Sequence, residues 1–217
     1  MPGLQLVIGN KNYSSWSLRP WLLLRQMGLD FEEILIPLFR EDSREKILKH
    51  SPSGKVPALI EDGRAVWDSL AIAEYLAEKY PRMNLWPEDP AARAWARSVS
   101  AEMHSGFMAL RSECPMNIRR KPTPLELKPE VRADVERIQA IWREARSAYS
   151  KLGPFLFGHF SIADAMYAPV VFRFTRYAIE MDESSRAYAE TILAQPPVQE
   201  WIQAAMAETW VISENEK

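Results

Sequence analysis

The first 80 residues alternate between strand-like and helix-like patterns. Residues 4–8, LQLVI, form an apolar run of strand length. Residues 18–27 repeat apolar side chains at helical spacing and stop at Gly28, a residue suited to ending a helix. Residues 31–37 alternate and are rich in Ile and Phe, which predicts a second strand. Residues 42–50 are charged and only weakly apolar, so they read as a short exposed helix. Two further apolar runs, 56–60 and 65–67, are joined by Glu61-Asp62-Gly63, a hairpin signal. Leu70, Ala73, Leu76 and Tyr80 then predict a helix over 69–80 that stops at Pro81. The predicted order is β-α-β, a helix, a β-hairpin and a final helix.

A Pro- and charge-rich stretch, PRMNLWPEDP, follows and reads as a linker. After Pro90 every periodic segment is helical. Trp95, Val99, Met103 and Leu110 form one stripe of a helix over 91–114, with Arg93, Arg97, Ser100 and Arg111 off it. Cys114-Pro115 ends this helix, and a proline-rich loop leads to a long helix marked by Val131, Val135, Ile138, Trp142, Ala145, Tyr149 and Leu152. A third helix spans 161–177 with Pro169 predicted to kink it, and smaller ones cover 184–193 and 198–207. The expected organisation is an α/β domain over 1–80 with a thioredoxin-like layout, a linker over 81–90 and an all-α domain over 91–217.

Composition narrows the setting. With 217 residues and 47% hydrophobic content, the chain can bury a sizeable core as one large domain or two small ones. A formal charge of -2 gives no reason to expect nucleic acid or an anionic membrane as partner. A single cysteine, Cys114, excludes an internal disulfide and any CxxC motif, which fits a reducing compartment. No signal-length or membrane-length apolar segment is found, so a cytoplasmic protein is expected, with no metal.

Four short stretches can carry chemistry. In NKNYSSWSLRPW, Ser14, Ser15 and Ser17 stand between the first strand and the first helix. Pro20 lacks an N–H and fits best in a first turn, which places the helix start near residues 15–17 and leaves Ser14 just before it. A hydroxyl beside free N–H groups and the positive end of the helix dipole suits an anion such as a thiolate. A serine that merely caps the helix, with Ser17 a plausible cap, is the commoner case, and the stretch by itself favours it. In SGKVPAL, Val56-Pro57 opening a strand is compatible with a cis proline that turns the Val56 backbone toward an extended ligand; a trans proline at a strand start is the commoner case. In WDSLAIAEYL, either Asp68 or Ser69 can cap the helix, and the same end can receive a ligand carboxylate. In HFSIADAMYAP, Ser161 and Asp164 form a capping box, read as a folding determinant. His104 reads as an exposed or hydrogen-bonded helix residue, and Cys114, at a helix C-terminus, as structural.

Taken together, SSWSLRPW, the Val-Pro, the Asp-Ser and the S-x-A-D box in a helical second half resemble the glutathione S-transferases across essentially the whole chain. Among the classes the chain is most similar to the serine-type branch, particularly the zeta class, whose first-helix motif reads S-S-C-S-x-R. The resemblance implies a cytosolic homodimer that joins glutathione, as co-substrate, to an apolar electrophile. It implies Ser14 as the catalytic donor to the glutathione thiolate, with Ser15 as the local alternative and Tyr13 as a minor competitor. It further implies Val56 beside a cis Pro57 for the cysteinyl backbone, Asp68 and Ser69 for the γ-glutamyl end, and Lys55 or His50 for the glycyl carboxylate. Met103, Phe107, Met108, Arg111 and Trp210 are candidates for the electrophile pocket, although Met103 also fits plain core. Trp16 stands where the zeta motif has cysteine, which weakens the case for maleylacetoacetate isomerisation. Glutathione-dependent isomerisation, peroxide reduction and a non-catalytic scaffold are the alternatives.

Overall fold

The computed structural model describes residues 3–217. Its first part runs β1 (Leu4–Ile8), α1 (Ser15–Gln26), β2 (Phe31–Leu35), α2 (Ser43–Leu48), β3 (Ala58–Glu61), β4 (Arg64–Val66) and α3 (Ser69–Lys79). The strands form one sheet in the order β2-β1-β3-β4. Strands β1 and β2 pair in parallel, which requires a crossover, and α1 supplies it. The pairs β1–β3 and β3–β4 are antiparallel. Strand β1 buries apolar side chains on both faces, with Gln5 as its one polar residue, because helices cover both sides. Leu4, Leu6 and Ile8 belong to the main core with residues of α1 and α3, while Val7 packs with Ile36, Ile47 and Ala58 on the side of α2. The hairpin is shorter than the apolar runs suggest: β3 begins only after Pro57, which has no N–H to give a ladder. Asp62 and Gly63 both have positive φ, 48° and 75°, the turn geometry that continues the strand twist.

The second part contains α4 (Pro90–Ser105), α5 (Met108–Glu113), α6 (Pro129–Tyr149), α7 (Ile162–Arg176), α8 (Glu183–Leu193) and α9 (Pro196–Ala207). Helix α7 is buried along most of its length and packs on α1 and α4, so it joins the two halves. The predicted capping box is present: Asp164 accepts from Ser161 N at 2.8 Å and from Ser161 Oγ at 2.9 Å. The same carboxylate also accepts from Leu156 N and from the Tyr188 hydroxyl.

Three local expectations are corrected. The stripe over 91–114 is two helices, interrupted at Gly106 and Phe107, and Phe107 has φ 59°. A Cβ at Gly106 would meet Glu102 O at 2.8 Å, so glycine permits the break. The Arg111 guanidinium donates to the carbonyls of Met103 and Gly106, and Asp134 accepts from Leu110 N at 2.9 Å near the start of α5. Ser100, read as off the stripe, is buried. Helix α1 starts at Ser15, which makes Pro20 its sixth residue, beyond the first turn, and leaves the Trp16 carbonyl without its usual i+4 donor.

Candidate functional site

Ser14 is the N-cap of α1: its Oγ accepts from Ser17 N at 3.3 Å and donates to Ser17 Oγ at 2.8 Å. Ser17, the alternative cap, has another task, since its Oγ accepts from Gly9 N at 3.0 Å and ties α1 back to the end of β1. Ser15 Oγ accepts from the buried Arg173 guanidinium at 3.3 Å. The two adjacent hydroxyls are therefore in different situations: that of Ser14 bonds within its own turn, and that of Ser15 is held from α7. Tyr13 donates to Glu216 and accepts from Arg119 Nη2 at 2.9 Å, so its phenolic proton is committed to the C-terminal tail.

Across the groove, the Val56–Pro57 peptide bond is cis, as the motif allowed. Asp68, not Ser69, is the N-cap of α3, its Oδ1 accepting from Leu70 N at 3.0 Å and Ala71 N at 3.3 Å. Its Oδ2 lies 3.0 Å from His104 Nε2 on α4. Ser69 is fully buried, and its hydroxyl has no partner. Buried hydroxyls without partners are uncommon, and Ser69 is among the residues that line a cavity.

Two cavities meet here. One of about 470 Å³ is lined by Asp68, Ser69, Pro57 and His104 among others. The other, about 690 Å³, is lined by Ser14, Ser15, Arg111, Arg173, Ile212 and Asn215 together with the loop before α2. Trp16, Lys55 and Val56 line both. The structure therefore brings Ser14, Ser15, Lys55, Val56, Pro57, Asp68 and Ser69 to one surface, although 55 positions separate the first from the last. His50 lines neither cavity.

Trp16 divides this surface. The guanidinium of Arg19 lies 4.4 Å and that of Arg111 4.8 Å from its ring centroid, and His104 meets it edge-on at 5.3 Å. Such contacts fix the indole between cations. The larger cavity is cationic: Arg40, Arg44, Lys55, Arg111 and Arg173 line it, and its lining holds no Asp or Glu. Burial, with Arg111 nearby, lowers Arg173 to about 10, and burial raises the Cys114 thiol to about 11. Cys114 is thus a poor nucleophile, in keeping with a structural role.

The apolar candidates fare differently from the polar ones. Met103 and Phe107 are buried in the main core, Met108 is exposed, and neither these nor Trp210 lines the larger cavity; Arg111 does. The tail contributes Ile212 and Asn215 instead. Residues 208–217 carry no helical or strand periodicity; the resemblance pointed to this tail through Trp210 and named neither Ile212 nor Asn215.

A mixed sheet flanked by helices and followed by a helical domain, with the site in the seam, defines a thioredoxin-like fold joined to an all-helical domain. Residues 13–79 match the family described as Glutathione S-transferase, N-terminal domain, and residues 128–204 match Glutathione S-transferase, C-terminal domain. The chain is 30% identical to Glutathione S-transferase GstA of Escherichia coli O157:H7 over 201 residues, covering 87% of this chain and 93% of the relative. It is 38% identical to the Probable maleylacetoacetate isomerase of Caenorhabditis elegans over 98 residues, a match that spans 45% of each protein. The chain thus matches less than half the length of that relative. A solved glutathione transferase homolog from Burkholderia, described with bound glutathione, superposes with a TM-score of 0.70 at 25% identity over 94% of this chain and 99% of that one. This chain belongs to the glutathione S-transferase family.

Proposed function

We propose that the protein binds glutathione along this surface and transfers its thiolate to an electrophilic carbon. The observation that carries the reading is the convergence of Ser14, Val56, Asp68 and the unpartnered Ser69 hydroxyl on one groove. The γ-glutamyl carboxylate suits the start of α3, where the unpartnered Ser69 hydroxyl lies at the positive end of the helix dipole. The cysteinyl backbone pairs with Val56 as an added strand does. A turn of the Ser14 hydroxyl away from Ser17 directs its proton to the sulfur. Thiol deprotonation releases a proton to solvent, the thiolate attacks the electrophilic carbon, and the leaving group departs with the bonding pair. Ser14 contributes by stabilising the thiolate, with no covalent enzyme intermediate. Ser15, already bonded to Arg173, serves as a second wall of the sulfur site.

Steady-state turnover of glutathione with an activated aryl halide is the direct test. Ser14→Ala is expected to lose about 10²-fold in turnover. Unchanged activity would remove Ser14 from the mechanism. Calorimetry with glutathione separates the enzyme from a scaffold: no binding at about millimolar ligand, an affinity near -4 kcal/mol, favours the scaffold.

A second reading has its own support. Five cations without an acid line the cavity beside Trp16, which favours an electrophile with an apolar body and an anionic group, and the name of the maleylacetoacetate isomerase relative contains such an acid. Matched electrophiles with and without a carboxylate decide between the readings. Homodimerisation and a cytoplasmic location are further parts of the proposal. Among the described residues no helix is long and apolar enough to cross a membrane, and sedimentation velocity tests the dimer.

A further inference from the structure

The loop that delivers Ser14 leaves β1 at Ile8 and enters α1 at Ser15. At its start, Asn10 is held within its own half: its carbonyl accepts from Tyr13 N at 3.2 Å and Ser14 N at 2.8 Å, and its Oδ1 accepts from Leu38 N at 2.8 Å. The Lys11 ammonium pairs with Glu33 of β2 at 2.7 Å, but the backbone of the next two residues is held from the other half of the molecule. Lys11 N donates to Glu208 Oε1 at 2.6 Å and Asn12 N to Glu208 Oε2 at 3.0 Å. The Lys11 carbonyl accepts from Trp201 Nε1 at 2.9 Å, and the Asn12 carbonyl accepts from Ile118 N at 3.2 Å. The Asn12 side chain bonds to Asn117 Oδ1 at 2.9 Å and to Arg119 N at 2.8 Å. Every backbone polar group of Lys11 and Asn12 is therefore satisfied by a residue beyond position 116.

Glu208 has the central place in this arrangement. A carboxylate is the one side chain that offers an acceptor oxygen to each of two successive N–H groups. It is itself held in register, because Arg119 donates to the Glu208 carbonyl, to the Trp210 carbonyl at 2.6 Å and to the Tyr13 hydroxyl. Without it two buried donors are orphaned, and the backbone two residues before Ser14 loses the bonds that define its path.

We propose that Glu208 is a positioning residue for Ser14: from the end of α9 it clamps the Lys11 and Asn12 amides and thereby sets where the Ser14 hydroxyl meets the glutathione sulfur. This deepens the glutathione reading given above and rests on it. Positioning of this kind matters because misplacement of a catalytic group by about 1 Å can cost 10²-fold in rate.

The test compares wild type with Glu208→Ala, Glu208→Asp and Glu208→Gln by three measurements. Hydrogen exchange needs no ligand: the amides of Lys11 and Asn12 should exchange faster in Glu208→Ala, with α7 unchanged. Ultraviolet absorbance of bound thiolate against pH should show the glutathione thiol pKa rising by about one unit in Glu208→Ala, tenfold less thiolate at a given pH below it. Turnover near neutral pH should fall about tenfold with KM for glutathione changed less than twofold, and the gap should close at high pH. Formate, which can bridge the two freed N–H groups, should restore Glu208→Ala but not Glu208→Gln, whose amide fills the space. Glu208→Asp keeps the charge at shorter reach and should fall between, which keeps the test open if the alanine variant does not fold. A thiol pKa and turnover equal to wild type in well-folded Glu208→Ala overturn the positioning role alone. No thiolate signal from wild type overturns the glutathione reading and this proposal with it.

Discussion

Asp164 and Glu208 are both buried carboxylates, both accept bonds from pairs of backbone N–H groups, and burial raises both above the ordinary carboxylate range. Their partners differ in sequence distance. Asp164 bonds to Ser161, Leu156 and Tyr188, the farthest 24 positions away. Glu208 bonds to Lys11 and Asn12, 197 and 196 positions away. The first carboxylate opens the helix in which it sits. The second shapes a loop in the other half of the chain. A helix cap is therefore spelled by its neighbours, whereas a clamp between domains is spelled by nothing nearby, although the two use the same chemistry.

The sharpest way to break the comparison is to remove Asp164. Asp164→Ala orphans the N–H groups of Leu156 and Ser161 at the start of the most buried helix. Because α7 packs on both α1 and α4, the expected loss is about 3–4 kcal/mol in urea unfolding. The site lies elsewhere, so whatever fraction folds should turn over normally. Glu208→Ala is expected to cost less, about 1–2 kcal/mol, since two orphaned amides are offset in part by removing a desolvated charge. Equal losses from both variants would show that Glu208 is an ordinary structural cap.

The pH dependence refines this. A carboxyl whose folded pKa is raised above its unfolded value binds its proton more tightly when folded. Its contribution is therefore fully present below the unfolded pKa and is lost as pH rises through the folded one. For Glu208 the causes oppose each other: burial raises the pKa, while the two amide bonds, Arg119 and Lys11 lower it, and burial wins. Relative to Glu208→Gln, wild type should gain stability as pH falls from neutral toward the ordinary Glu pKa of about 4.3, as measured by urea unfolding of both proteins at each pH. A difference independent of pH would mean that Glu208 ionises as freely in the folded protein as in the unfolded one.

The same contrast explains what could be read in advance. Strand and helix order followed from local periodicity, and the capping box from a four-residue spacing. Ser14, Val56 and Asp68 were singled out because each sits beside a local punctuation mark: a helix start, a proline or a cap. The break at Gly106 was missed because Leu110 stays in phase with the stripe on both sides, while the residue that secures the break, Arg111, acts by folding back on carbonyls behind it. Ile212, Asn215 and Glu208 were missed because the tail has no period and its contacts lie across the whole chain. Trp16 was noticed as a departure from the zeta motif, but not as a partition held by two guanidiniums and His104.

Asp68 is the intermediate case, and it gives the smallest expected effect. Its Oδ1 caps α3 locally, as Asp164 does for α7, and its Oδ2 reaches His104 on α4, as Glu208 reaches across to the loop. The Asp68 side chain is 53% exposed and that of His104 25%, so water screens the pair. His104→Ala should therefore cost less than about 1 kcal/mol of stability, and Asp68→Ala about 1 kcal/mol through the lost cap. Because His104 also supports the edge of Trp16, its removal should loosen the partition between the two cavities more than it destabilises the fold. Tryptophan fluorescence reads both: the unfolding midpoint reports stability, and acrylamide quenching, compared with and without Trp16→Phe to isolate Trp16 among the eight tryptophans, reports indole access. A midpoint shift as large as that of Glu208→Ala, with quenching unchanged, would place His104 among the clamps and deny it any part in the site.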